Sequence, residues 1–346
     1  MIRVSIPRHL PANGVAFAHA APALCVLGLV VLACVVALAH SGGGDTRAVV
    51  TILAATRGAT QRLPQSSTTT VAPVGTQAPA RLAPLPSAPT AAVWADPILV
   101  QTISDALADS AGAYSVVVQR LSDGRSAAYR ADAVFYAAST FKLAVLYAAE
   151  RRLSDGLLRL DDRLQLAAAD YGEDLGTAES LEVGPDGTIS MGDALHAMIT
   201  RSDNASAVAM LHLFGGANID RDLALLGLDG TSVNTHDLPT TAADMAGLMV
   251  ALLTDPRLSS ESRAHIRELL LAQETRWGIP SLLPEGVAVG NKTGTWAGAT
   301  HDVAFVDAPG GTYVVAILTD GDWAWEPIAR VSAAIYAAMA YRRSGD

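Results

Sequence analysis

Only two of the 24 Lys and Arg residues in this chain are lysines, Lys142 and Lys292. Arginine stays protonated in proteins, whereas a lysine withdrawn from water can be neutral near pH 7 and accept a proton. A position that keeps an amine where the chain otherwise uses guanidinium is a position for chemistry. Lys142 closes the tetrad Ser139-Thr140-Phe141-Lys142. On a helix the two outer side chains share a face one turn apart. A neutral amine there can take the hydroxyl proton, and a helix N-terminus favours the negative charge that develops. Read alone, the same spacing also fits a capped amphipathic helix.

Two further clusters suit the same chemistry. Ser202-Asp203-Asn204 falls between two helical stretches. Such a turn serves as a helix cap, and at the lip of a cleft its hydroxyl and amide could relay a proton and hold a carbonyl. Lys292-Thr293-Gly294-Thr295 ends the alternating strand Val287-Ala288-Val289. Gly294 leaves room for close backbone approach, and Lys292, Thr293 and Thr295 suit an anionic carboxylate.

The elements that must position these groups are legible in outline. Asp96-Pro97 starts a helix reaching about Ser110, with Asp96 as cap. Ala113–Arg120 and Arg125–Arg130 flank Ser122-Asp123-Gly124 as a hairpin. Helices are predicted at Thr140–Glu150, Ser190–Thr200, Asn204–Phe214, Thr241–Leu253 and Glu326–Tyr341. Strands are predicted at Val287–Lys292, His301–Val306 and Thr312–Thr319. Strands at both ends around a helical middle imply a mixed α/β (α+β) fold: an antiparallel sheet flanked by helices, plus an all-helical subdomain.

The 346-residue chain has a net charge of −10, yet residues 1–94 carry six arginines and a single acid, Asp45. The remainder is therefore strongly acidic, which excludes nucleic acid as a partner. Both cysteines, Cys25 and Cys34, lie in the uncharged run Ala21–Ala39. The downstream domain thus has no thiol nucleophile, disulfide or Cys-ligated zinc. No metal-ligand spacing or phosphate-cradling loop occurs, so no cofactor is expected. The apolar run follows Arg3 and Arg8 and has the length of a membrane span. Residues 1–40 read as a membrane anchor or cleaved signal. Residues 41–94, with prolines at 64, 73, 79, 84, 86 and 89, read as a disordered tether. Residues 95–346 form the folded domain, on the extracytoplasmic side.

In order, the three clusters resemble the Ser-x-x-Lys, Ser-Asp-Asn and Lys-Thr-Gly motifs of class A β-lactamases and penicillin-binding proteins. Asp186-Gly187-Thr188-Ile189-Ser190, Gly278-Ile279-Pro280 and Leu283-Pro284-Glu285-Gly286-Val287 are similar to flanking text of class A-related serine hydrolases. The resemblance runs from about Asp96 to the C-terminus and implies the serine β-lactamase/penicillin-binding-protein fold. It implies an acyl-enzyme on Ser139, formed from a β-lactam or a D-amino-acid cell-wall peptide. Lys142 would be the base and Ser202 the proton relay. Asn204 would hold the substrate amide, while Lys292, Thr293 and Thr295 hold its carboxylate beside Gly294. The N–H groups of Ser139 and Thr295 would form the oxyanion hole.

One part of the pattern is missing. Class A β-lactamases present a deacylating glutamate from a loop between the second and third motifs, within Glu-x-x-Leu-Asn. Here Leu226–Pro239 is short, and no glutamate occurs between Glu182 and Glu261. Three readings stay open: a hydrolase or peptidase that deacylates slowly, a working β-lactamase using Asp229, His236 or Asp237, and a non-catalytic envelope binder or β-lactam sensor. His196 and His212 read as ordinary helix histidines and Asp302 as structural. Trp296, Trp323 and Trp325 suit a cleft rim, the core or an exposed loop.

Overall fold

The helix capped by Asp96 runs Pro97–Leu107 (α1), with Asp96 Oδ1 accepting the Ile98 N–H at 2.8 Å. It stops short of the expected Ser110, ahead of Gly112 at φ 93. It opens the computed structural model, which describes residues 95–173 and 176–340. The expected anchor at 1–40 and tether at 41–94 lie outside the described residues. Among the described residues no helix is long and apolar enough to cross a membrane.

The hairpin forms as read, with β1 (Tyr114–Arg120) antiparallel to β2 (Ser126–Tyr129). Next come β3 (Phe135–Tyr136), a single tight turn at Ala138–Phe141, and α2 (Lys142–Ser154). The helical middle holds β4 (Arg163–Gln165), β5 (Thr188–Ser190), α3 (Met191–Thr200), α4 (Asn204–Phe214) and α5 (Gly216–Ala224). It continues with β6 (Pro239–Thr240), α6 (Ala242–Thr254) and α7 (Ser260–Leu271). The chain then returns as β7 (Val289–Trp296), β8 (Ala299–Ala308), β9 (Gly311–Thr319) and α8 (Trp325–Ala340).

The five-stranded sheet has the order β2-β1-β9-β8-β7, all antiparallel, so strands from the two ends of the domain meet at β1 and β9. Alternation along the strands builds two cores. Tyr313, Val315 and Ile317 of β9 pack on one face with α1 and α8. Val314, Ala316 and Leu318 pack on the other with the helical subdomain. α2 is buried on every side from Leu143 to Glu150 and is the axis of that subdomain.

Two expectations are corrected. β7 is longer than Val287–Lys292, because β8 pairs along it as far as Trp296 opposite Ala299. Lys292–Thr295 therefore lies inside an edge strand, not at its end. Ser139 likewise stands in the tight turn before α2 rather than in the α-helix itself.

Glu150, fully buried on α2, accepts from His265 Nδ1 of α7 at 2.7 Å. That bond raises the His265 pKa above 6.5. Because the folded value is the higher one, this stabilisation is complete below the unfolded pKa and is lost as pH rises through the folded value. Urea unfolding of wild type and His265→Gln should therefore differ more at about pH 5 than at about pH 9; an equal difference at both would contradict this.

Candidate active site

The nucleophile turn is built against resistance. Ala138 has φ 45, a left-handed conformation that costs a non-glycine residue about 1–2 kcal/mol. It is held from both sides. The Ala137 N–H donates to Leu238 O at 2.8 Å, and Thr140 donates to Ala137 O through its N–H at 3.1 Å and its Oγ1 at 2.5 Å. The pairing of β3 with β6, Tyr136 opposite Pro239, anchors the same stretch. Behind it stands His301 of β8, fully buried. The Thr319 N–H donates to His301 Nδ1 at 3.2 Å, so the neutral ring carries its proton on Nε2 and donates to Tyr136 O at 2.8 Å. Burial holds the His301 pKa below its ordinary value, in keeping with a neutral ring.

The second motif is strained in the same way. Ser202 has φ 61 and follows α3 directly. Its neighbour Asp203 is fully buried, caps α4 by accepting the Ser206 N–H at 2.7 Å, and accepts from Thr177 Oγ1 at 2.9 Å.

Lys142 joins these parts. Its Nζ, fully buried, donates to Ser202 O and to Asn204 Oδ1 at 2.5 Å each. It also lies 3.1 Å from both Ser139 Oγ and Ser202 Oγ. Burial, reinforced by the nearby Lys292 charge and opposed by Asp203, holds its pKa well below the usual lysine range. A neutral amine has two protons and one lone pair. The two closest partners only accept, so they take the protons. The lone pair is left to a hydroxyl, and Ser139 Oγ is within reach.

Lys292 is also fully buried, and its Nζ donates to Ser202 Oγ at 2.9 Å and to Thr293 O at 2.7 Å. Ser202 Oγ therefore bridges the two amines. Burial brings Lys292 down to about 7, against the pull of Asp302. Asp302, equally buried, is pushed up to about 7 by desolvation while it accepts from Asn291 Nδ2 at 2.9 Å and the Ile279 N–H at 2.8 Å. Asp302 has a structural position beneath the strand, as expected.

β7 presents its free edge to this cluster, and position 294 leaves little room for a side chain. A Cβ would lie 3.0 Å from Thr140 N and 3.1 Å from Ser139 N and Ala137 O. A cleft of about 870 Å³ opens in front. Ser139, Asn204 and Thr295 line it, and Lys142 is bonded to the first two of these. Of the three candidate replacements for the absent glutamate, His236 and Asp237 line the cleft and Asp229 does not. Trp296 sits half-exposed on the rim, Trp325 is buried, and Trp323 lies outside on the surface. His196 is exposed, as is His212 beside Asp170. Among the described residues no group of His, Cys, Asp and Glu could hold a metal.

Sequence reasoning missed His301 and the apolar cleft walls. Nothing local marks His301, whose partner Tyr136 is 165 residues away.

Residues 98–339 match the model of a family described as the beta-lactamase enzyme family. The chain is similar to a variant of PBP-A solved as an acyl-enzyme complex with penicillin G, at 25% identity over 71% of this chain and 97% of that one, TM-score 0.66. It is similar to a beta-lactamase from Sphaerobacter thermophilus, at 27% identity over 70% and 96%, TM-score 0.63. It is also similar to the class A beta-lactamase of the last common ancestor of Gram-negative bacteria, at 28% identity over 69% and 98%, TM-score 0.62.

Replacing His301 with alanine strands the Thr319 N–H and the Tyr136 carbonyl and leaves a cavity. His301→Ala should cost about 3 kcal/mol or more in urea unfolding; a loss below about 1 kcal/mol would show that the ring does not brace this turn.

Proposed function

The chain belongs to the beta-lactamase enzyme family and is a serine hydrolase, and from that premise we propose that it forms an acyl-enzyme on Ser139 with β-lactams or D-amino-acid cell-wall peptides and releases it slowly. The observation that carries this reading is the buried Lys142 amine, whose Nζ lies 2.5 Å from both Ser202 O and Asn204 Oδ1 and 3.1 Å from Ser139 Oγ.

Ser139 Oγ attacks the carbonyl carbon and forms an ester bond while the C–N bond breaks. The hydroxyl proton passes to Lys142 and reaches the leaving nitrogen through Ser202 Oγ, which touches both amines. The N–H groups of Ser139 and Thr295 receive the oxyanion, and Asn204 holds the substrate amide. Thr295 meets the substrate carboxylate at the cleft, with Thr293 and the Lys292 charge behind it. Water must then cleave the ester, and this step needs a base. The short segment Leu226–Pro239 supplies no glutamate, so the acyl-enzyme outlives its formation.

A second reading rests on His236 and Asp237, which line the cleft. If either activates water, the protein is a working β-lactamase. A sensor that stays acylated is the non-catalytic limit of the first reading. The basic residues Arg3 and Arg8 before the apolar run Ala21–Ala39 support an extracytoplasmic domain, anchored or secreted.

Ser139→Ala and Lys142→Arg should each abolish covalent labelling by a penicillin, read as intact mass; labelling that survives both changes overturns the assignment. Acylation by an anionic β-lactam should fall at low pH, where Lys142 gains a proton and loses its lone pair. It should fall again as pH rises through about 7, where Lys292 loses its charge. A carboxyl-esterified analogue should lack the alkaline limb; if it shows the same limb, Lys292 does not act on the carboxylate.

A further inference from the structure

Three of the chain's five tryptophans turn a large part of their indole to solvent. Trp277 is 57% exposed, Trp323 71% and Trp296 51%. Burying an indole on folding is strongly favourable, so exposing several near one another runs against stability and marks a surface made to be covered. Trp277, in the loop before β7, and Trp323, in the loop before α8, meet with ring centroids 6.1 Å apart and planes at 40°. The buried Trp325 packs on Trp277 at 6.0 Å and 72°. Trp323 keeps its place with φ 53, a left-handed backbone that is an outlier for so bulky a residue. Strain that leaves the ring in solvent gains no packing in return, and such outliers gather at binding sites.

The loop carrying Trp323 is fastened to the turn beside the cleft. Asp322 Oδ1 accepts the Gly298 N–H at 2.6 Å, Thr300 Oγ1 donates to Gly321 O at 2.6 Å, and the Ala324 N–H donates to Thr300 Oγ1 at 3.2 Å. Trp296 and Ala297, which lead into Gly298, line the cleft itself. The same loop offers two exposed carboxylates. Asp320 and Asp322 each bind a backbone N–H through Oδ1, of Ala113 and Gly298, and Oδ2 is left to accept from a ligand. The acidic domain repels anionic polymers and anionic lipid surfaces. A neutral saccharide meets both conditions, because the C–H face of a pyranose lies flat on an indole and its hydroxyls donate to carboxylates. We infer that Trp277 and Trp323, with Asp320 and Asp322 beside them, form a binding platform for a neutral saccharide chain at the margin of the cleft.

The test is titration calorimetry of the full-length chain with hexamers of β-1,4-linked glucose and of β-1,4-linked N-acetylglucosamine. At least one should bind, and Trp277→Ala and Trp323→Ala should each weaken it roughly 5-fold or more. Trp323→Phe should keep most of the affinity, since the smaller ring still offers a face. Binding needs no reaction at Ser139, so the result stands whether or not the acyl-enzyme reading does. No binding of either hexamer, or binding that neither alanine substitution weakens, would overturn the platform. So would attachment to phosphatidylcholine vesicles, or self-association, that the same two substitutions abolish, because the indoles would then serve a membrane or a second copy.

Discussion

A lysine amine sealed from water constrains everything around it. A buried charge without a counter-charge is costly enough that the group sheds its proton instead. The ion pairs among the described residues all use Arg or His as the cation. The hydrogen-bond partners of Lys142 Nζ are all uncharged oxygens, Ser202 O and Asn204 Oδ1 at 2.5 Å and the two serine hydroxyls at 3.1 Å, with the Asp203 carboxylate acting on it only from a distance. Satisfying this one nitrogen ties the start of α2 to the turn between α3 and α4. In the proposed reaction, the lone pair of the neutral amine is the group that takes the Ser139 proton.

The other constraints follow from placing Ser139 against that lone pair. The left-handed Ala138 swings the serine out of the helix, and its strain is offset by a hydrogen bond to Leu238 O and by bonds from Thr140 and, one layer back, His301. Gly294 lets the β7 edge approach the nucleophile turn so closely that a Cβ there would press on three backbone atoms at 3.0–3.1 Å. Ser202, itself left-handed, turns its hydroxyl between Lys142 and Lys292. Three elements far apart in sequence thus meet at atoms that have few alternative partners.

Much of this was readable from residue types. Lysine in an arginine-using chain, a serine three residues earlier and a glycine after Lys292-Thr293 each answer a chemical need that other residues meet poorly. The hairpin at Ser122-Asp123-Gly124 and the cap Asp96 were equally local signals, and the helices expected from Ser190 and Thr241 begin one residue later, with those two residues as their caps. The unread parts depend on distance or on shortness. β3 and β6 are two residues each, too short for a period-two pattern. α5 is only nine residues long, and both α5 and α7 carry few apolar residues among many polar and charged ones. Val208 and Leu211 keep the spacing of core residues, so only the position of the cleft separates them from the core. The extent of β7 was set by its partner β8, beyond the reach of local alternation.

The account turns on a proposed imbalance between two half-reactions: Ser139, Lys142 and Ser202 would make the ester, while the proposal leaves His236 and Asp237, which line the cleft, as the groups that could help break it. The most direct measurement is the intact mass of the full-length protein, followed over time after reaction with penicillin and removal of the free drug. The account predicts that the added mass stays on Ser139. Decay of the adduct, with release of the ring-opened drug and recovery of the unmodified mass, would contradict it and show that a replacement base works.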